Sequence, residues 1–158
     1  MASHPVYRVA HLSLSLAGAR LGLGAIGFAA ALVAGAEPRA GAVALGVGVG
    51  ASLVALVSSQ RWALVEQPEV APLPADAEHR GALVPTLGRA LMPSTAGVTA
   101  LLAISLAFEP LLAAVLAGVL AGMGALALAV CVDVVLREHR SDRHFYADAS
   151  RRRFAAPR

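Results

Sequence analysis

The sequence predicts an all-α membrane protein of four transmembrane helices folded as two helical hairpins. Three observations carry that expectation. Four stretches contain no charged residue: Leu21 to Ala36, Ala40 to Ser59, Ala90 to Phe108 and Pro110 to Val132. Each approaches the roughly 20 apolar residues that a helix needs to cross a hydrocarbon core roughly 30 Å thick. Glu37-Pro38-Arg39 and Glu109-Pro110 break these stretches into two pairs, each joined by a tight reversal. The composition agrees, with 58% hydrophobic residues, 15% charged and a mean hydropathy of +0.69, against roughly 25% charged residues in soluble domains.

Taken in order, residues 1–20 form a cytoplasmic or interfacial lead-in, in which Val9, Leu12 and Leu16 stand at helical spacing and continue into the first span. The hairpin 21–59 follows, its second helix opened by Pro38, whose missing N–H is not needed in a first turn. Trp62 suits the headgroup layer at the end of that hairpin. Residues 60–89 form a Pro-rich cytoplasmic loop, extended around Pro68 to Pro74 and with one helical turn expected near Asp76 to Arg80. The second hairpin covers 90–132, and 133–158 is a basic cytoplasmic tail. That tail has no Pro or Gly before Pro157, so a helix is expected, with Asp133/Arg137 and Asp148/Arg152 as i,i+4 pairs. The succession of Arg, span, Glu-Pro and span occurs twice, as in a parallel internal repeat, or as any two Ala-rich hairpins resemble each other.

Charge sets the orientation. All 13 basic residues are Arg, with no Lys and no Asn in the chain, a bias that suits a bacterial source. Four spans put both termini and the central loop on one side, together with every Arg except Arg39. The positive-inside rule makes that side cytoplasmic and the membrane the plasma (inner) membrane. A pI of about 10.0 would suggest nucleic acid for a soluble domain, but here lipid and topology account for the Arg residues, and no nucleic-acid partner is expected. Ala34-Gly35-Ala36 also resembles a signal-peptidase site, and cleavage there would leave three spans.

Packing is expected to rest on small residues, because lipid tails offer no hydrophobic contrast and close backbone approach must hold the bundle. Gly18/Gly22, Gly46/Gly50 and Gly118/Gly122 recur at the required spacing, with an adjoining stripe of Ala117, Ala121, Ala125 and Ala129. The fourth helix, richest in such positions, is expected at the centre or against a partner.

Candidate chemistry is sparse. Arg20, Arg89 and Asp133 mark the cytoplasmic ends of three spans, and Arg20 or Arg89 is expected to pair with Asp133 or else to reach the headgroups. Arg151, Arg152 and Arg153, among aromatic residues, are candidates for anionic-lipid contact. Glu138, His139, Asp142 and His144 are metal-ligand types without metal-ligand spacing, and read as solvated charge. Cys131 reads as a small buried residue. None of the four stretches contains His, Asn or Gln, which argues against axial haem ligation and against an intramembrane proton relay. No catalytic residue, metal site or cofactor is therefore assigned. The chain is expected to be a non-catalytic subunit or scaffold packing against another membrane protein or its own copies. The alternatives are an oligomeric transporter or channel lined by Ser52, Thr95, Thr99 or Ser105, and, third, an enzyme at the interface using Asp133, Glu138, His139 or Asp142.

Overall fold

The computed structural model describes residues 4–58, 71–72, 77–79, 94–148 and 153–157. Four helices carry the fold: α1 (Val9–Val33), α2 (Pro38–Ser58), α3 (Ser94–Phe108) and α4 (Pro110–Ser141). Three of them, α1, α2 and α4, are long and apolar enough to cross a membrane, whereas α3 is a shorter apolar helix of 15 described residues.

Both reversals follow the local sequence. At the end of α1, Gly35 takes φ +109°, a left-handed conformation that glycine adopts without a Cβ penalty. The Gly35 and Ala36 N–H groups then bond back to the carbonyls of Leu32 and Ala31, closing the helix as a left-handed cap does. Pro38 and Pro110 each open the next helix, where the absent donor costs nothing.

Helix α4 is the hub, packing against each of the other three helices. Its buried positions fall into two stripes. Ala113, Ala117, Leu120, Gly124, Cys131, Val134 and Glu138 follow a three-and-four spacing, while Ala114, Gly118 and Gly122 are four apart. The first stripe meets α1 in antiparallel fashion: Cys131 lies at Ala10, Gly124 at Ala17 and Leu21, and Ala117 at Gly24. The second meets α2, which runs parallel to α4, at Leu45, Gly48 and Ser52.

Size is sorted from inside to outside. The buried residues are mostly Ala, Gly, Ser and Thr, and Leu120 is the largest fully buried side chain among those described. The outer faces carry Ile26, Val33, Val43, Val54, Ile104 and Phe108, with Val33 90% exposed and Phe108 82%. An apolar exterior around a small-residue interior is what lipid, rather than water, requires of helices.

The strands are a departure from the all-α expectation, which holds for the apolar part alone. At one end of the bundle β1 (His4–Arg8), β2 (Ala71–Pro72), β3 (Ala77–His79), β4 (Arg143–Asp148) and β5 (Arg153–Pro157) form one sheet in the order β2-β5-β4-β1-β3. Strand β1 is antiparallel to β4, with Tyr7 opposite Ala147, and parallel to β3; β4 and β5 form an antiparallel hairpin; β2 lies parallel to β5. The segment before α1, residues 71–72 and 77–79 of the central segment and the strands after α4 are thus joined in one sheet.

Three local expectations change with it. The lead-in is a strand up to Arg8 and a helix only from Val9. The turn expected near Asp76 to Arg80 is extended at Ala77–His79. The tail is not one helix, because Asp142 takes the left-handed conformation at φ 49° and caps α4 through its N–H to Glu138 O. Aspartate is among the few residues that tolerate this geometry. The aromatic run His144-Phe145-Tyr146 beyond it suits a strand better than a helix. Asp148 ends β4, and its expected i,i+4 partner Arg152 lies outside the described residues, as do Trp62 and Pro68.

Candidate functional site

Where helix α4 meets the sheet, a single carboxylate collects donors from two strands. Helix α4 holds 32 residues, about 48 Å at 1.5 Å per residue, so it extends well past a hydrocarbon core of roughly 30 Å. Glu138 lies in the last turn of α4, on the same stripe as Cys131 and Val134, and is 3% exposed. Its Oε2 accepts from Arg8 Nη2 at 2.7 Å, and its Oε1 from the Phe145 backbone N–H at 2.9 Å and from Arg8 Nε at 3.5 Å. His144 Nδ1 stands 3.4 Å from the same Oε2. The hydrogen bond to the carboxylate raises Arg8 further above its ordinary value, so the guanidinium stays charged.

The apolar side of the junction is built from Ala10, Cys131 and Val134, with Val9, Val130 and Phe145 packed on them. Cys131 Sγ donates to Ala10 O at 3.3 Å. Satisfied by a cation and a backbone donor, the carboxylate is equipped to hold helix and sheet together, since a buried charge is tolerated when paired and hydrogen-bonded. It is not a solvated charge, as the sequence led us to expect. The three-and-four spacing of Cys131, Val134 and Glu138 was the signal available for its burial.

The other polar candidates are placed apart from this junction. Asp133 pairs with Arg137 Nε at 2.9 Å along the helix surface, as its i,i+4 spacing predicts. Arg20 Nε donates to Thr95 Oγ1 at 3.0 Å. Arg20 and Asp133 are therefore each engaged elsewhere than with one another, and Arg89 lies outside the described residues. Arg151 and Arg152 lie outside them too, and of Arg153 only the backbone, in β5, is described. His139 and Asp142 are exposed at the end of α4. Among the described residues no group of three His, Cys, Asp or Glu is placed to hold a metal ion.

The hydroxyls that would line a transport path turn to their own helices. Ser52 donates to Val49 O, Thr99 to Thr95 O and Ser105 to Leu101 O, each at 2.8 Å. Ser52, Thr95 and Ser105 are buried.

The glycines separate into two sets. Gly118 packs on the Leu45 carbonyl and Gly48 Cα, and Gly122 on Ser52 and Val49 O. Gly24 and Gly124 play the same part between α1 and α4, where a Cβ on Gly24 would stand 2.9 Å from Ala117 O and one on Gly124 2.8 Å from Leu21 Cγ. Gly18, Gly22, Gly46 and Gly50 instead have no neighbour within 4 Å of a Cβ position among the described residues. Ala125 and Ala129, expected in a packing stripe, line an open apolar groove of about 540 Å³ with Leu128, Val132, Asp133 and Leu136.

No protein-family model matches the chain, and neither does any curated protein or solved structure.

Proposed function

We propose that this protein is a non-catalytic subunit or scaffold of a bacterial plasma membrane, crossing it four times and packing against another membrane protein or further copies of itself. The observation that carries this reading is the open glycine surface. Among the described residues, Gly46 and Gly50 on α2, and Gly18 and Gly22 on α1, have no neighbour within 4 Å of where a Cβ would stand. Val43, Val47 and Val54 are exposed on α2 as well. Glycine on an outer face gives up contact with lipid, and what it offers in return is close approach by a second helix.

The sheet supports the topology. Strand β1 precedes α1 and β4 follows α4, and their pairing requires both on one side of the membrane, hence an even number of crossings. With α1, α2 and α4 long enough to cross, α3 is the fourth span. Arg8, Arg137, Arg140 and Arg143 lie at the sheet end and Arg39 at the other, which makes the sheet end cytoplasmic. The parallel duplication of the hairpins belongs to the same reading, supported by their matching Glu-Pro helix starts.

Extraction into native nanodiscs followed by native mass spectrometry tests the proposal. A fixed stoichiometry with a second membrane protein, or a homo-oligomer that leaves ion and solute gradients intact in liposomes, is expected. A homo-oligomer that dissipates a gradient would replace this reading with transport.

A further inference from the structure

Arg20 occupies a position that the rest of its helix gives to small residues. The buried positions of α1 run Ala10, Ser13, Ala17, Gly24, Gly27 and Ala31, and Arg20 fills the step between Ala17 and Gly24 in that three-and-four series. Its side chain therefore belongs to the face packed on the bundle, and it is half-buried there.

Two rulers give its depth. From Arg20 to Val33, the outer end of α1, is about 20 Å at 1.5 Å per residue. The contact of Leu21 with Gly124 sets Arg20 level with a point about 21 Å along α4 from Pro110. Both fall short of a hydrocarbon core of roughly 30 Å, so with the outer edge of the core set at Val33 and Pro110 the Arg20 backbone falls within its inner third. Helical side chains lean toward the N-terminus, which here is the sheet end, so the guanidinium is directed toward the inner headgroups.

Its single polar contact among the described residues is the bond from Nε to Thr95 Oγ1, and Thr95 is 2% exposed. That bond fixes the guanidinium plane. It leaves Nη1 and Nη2, with four donors and the positive charge, facing no carboxylate of the described chain. An intramembrane cation facing a bundle needs a counter-charge, and a planar two-nitrogen edge matches two oxygens of one phosphate.

We propose that Arg20, held by Thr95, binds a phosphate-bearing group at the inner side of the membrane, either the phosphodiester of an inner-leaflet phospholipid or free phosphate entering from the cytoplasmic side. Thr95 acts as a positioning residue, setting the fork that meets the phosphate. This inference rests on the membrane orientation proposed above but not on the scaffold reading, because a transporter would use the same site.

The full chain in detergent, titrated with phosphatidylglycerol and separately with diacylglycerol of the same acyl chains, tests it by native mass spectrometry, with inorganic phosphate followed by ³¹P line broadening. One retained phospholipid per chain, in preference to diacylglycerol, identifies the lipid source; broadening of inorganic phosphate identifies the free one. Arg20→Gln is expected to lower the retained ligand at least about tenfold. Arg20→Lys, which keeps charge but loses the fork, and Thr95→Val are expected to fall between, and they serve if Arg20→Gln does not fold. Arg39→Gln, at the opposite end, is expected to bind as wild type does. Equal retention of phospholipid and diacylglycerol with no phosphate broadening, or wild-type retention by Arg20→Lys and Thr95→Val together, would overturn the proposal.

Discussion

Arg8 and Glu138, 130 positions apart in the chain, meet at 2.7 Å where the first strand crosses the end of the last helix. The contact ties the segment before the bundle to the segment after it. Because Glu138 also accepts the Phe145 N–H, one carboxylate sets both the β1–α4 and the α4–β4 geometry. Gln in its place keeps one oxygen acceptor but loses the charge and turns an NH2 donor toward the other partner, and hydrogen bonds to charged groups contribute about 1.5–3 kcal/mol each. Arg8 keeps about a third of its side chain in solvent, so it regains water and the lower figure applies. Glu138→Gln is expected to loosen the sheet by about 1–3 kcal/mol, read as faster hydrogen exchange at the Phe145 amide. Asp133→Asn, which removes only a surface i,i+4 pair, is expected to change stability by no more than about 0.5 kcal/mol. Equal exchange in the two variants would remove the clamp.

The glycine contacts make a second prediction, because Gly48 and Gly118 face each other across α2 and α4. A Cβ on Gly118 would run into the Leu45 carbonyl, and one on Gly48 into that of Val115. Backbone cannot give way as a side chain can, so overpacking here is expected to cost about 1–3 kcal/mol or more. Gly118→Val should lower the thermal midpoint in detergent and weaken α2–α4 cross-linking. Gly18→Val, on the open face of α1, should leave the α2–α4 cross-linking unchanged. A fall of similar size in the two variants would mean that Gly18 is also packed.

How much of this was legible in sequence follows from the physics of each feature. The spans were legible because the absence of charge over about 20 residues reports the solvent directly, and the reversals because Glu-Pro breaks one helix and opens the next. Which glycines touch was not. Gly46 and Gly50 stand on one face of α2 and Gly48 on the opposite one, and when both lipid and interior are apolar no amphipathic contrast tells those faces apart. The sheet was less legible still. Its strands are short and lie far apart in sequence, and β2 and β3 hold two and three residues, too few for an alternating pattern. Glu138 is the intermediate case: its charge argued for solvent, its spacing from Val134 and Cys131 for burial, and the Arg8 guanidinium settles the balance in favour of burial.

The interior hydroxyls yield a third prediction. Ser105 and Ser52 each donate to a carbonyl of their own helix, a bond that adds no contact between helices and exchanges little when removed. Ser105→Ala and Ser52→Ala are each expected to stay within about 1 kcal/mol of wild type in stability. If the protein is a scaffold, neither changes solute flux in proteoliposomes. A transport path lined by these hydroxyls would instead show a many-fold change in flux with stability intact.

The number of crossings can be tested through the same logic that the sheet imposes. Arg8 lies opposite Tyr146 in the β1–β4 ladder, so the start of α1 and the end of α4 lie at the same end of the bundle. Helix α3, with 15 described residues, is about 22 Å long, short of roughly 30 Å, and a bilayer accommodates such a deficit by thinning locally at modest cost. If α3 stayed on one surface, three crossings would place β1 and β4 on opposite sides and separate the two strands. Single cysteines at Glu37, Glu109 and Ser141, all exposed, decide the matter in a background where Cys131 is Ala. Glu37→Cys and Glu109→Cys are expected to react with an impermeant maleimide from the outer face alone, and Ser141→Cys only after the inner face is opened. Labelling of Glu37→Cys and Glu109→Cys from opposite faces would show that α3 does not cross, and with it that β1 and β4 cannot pair in the membrane.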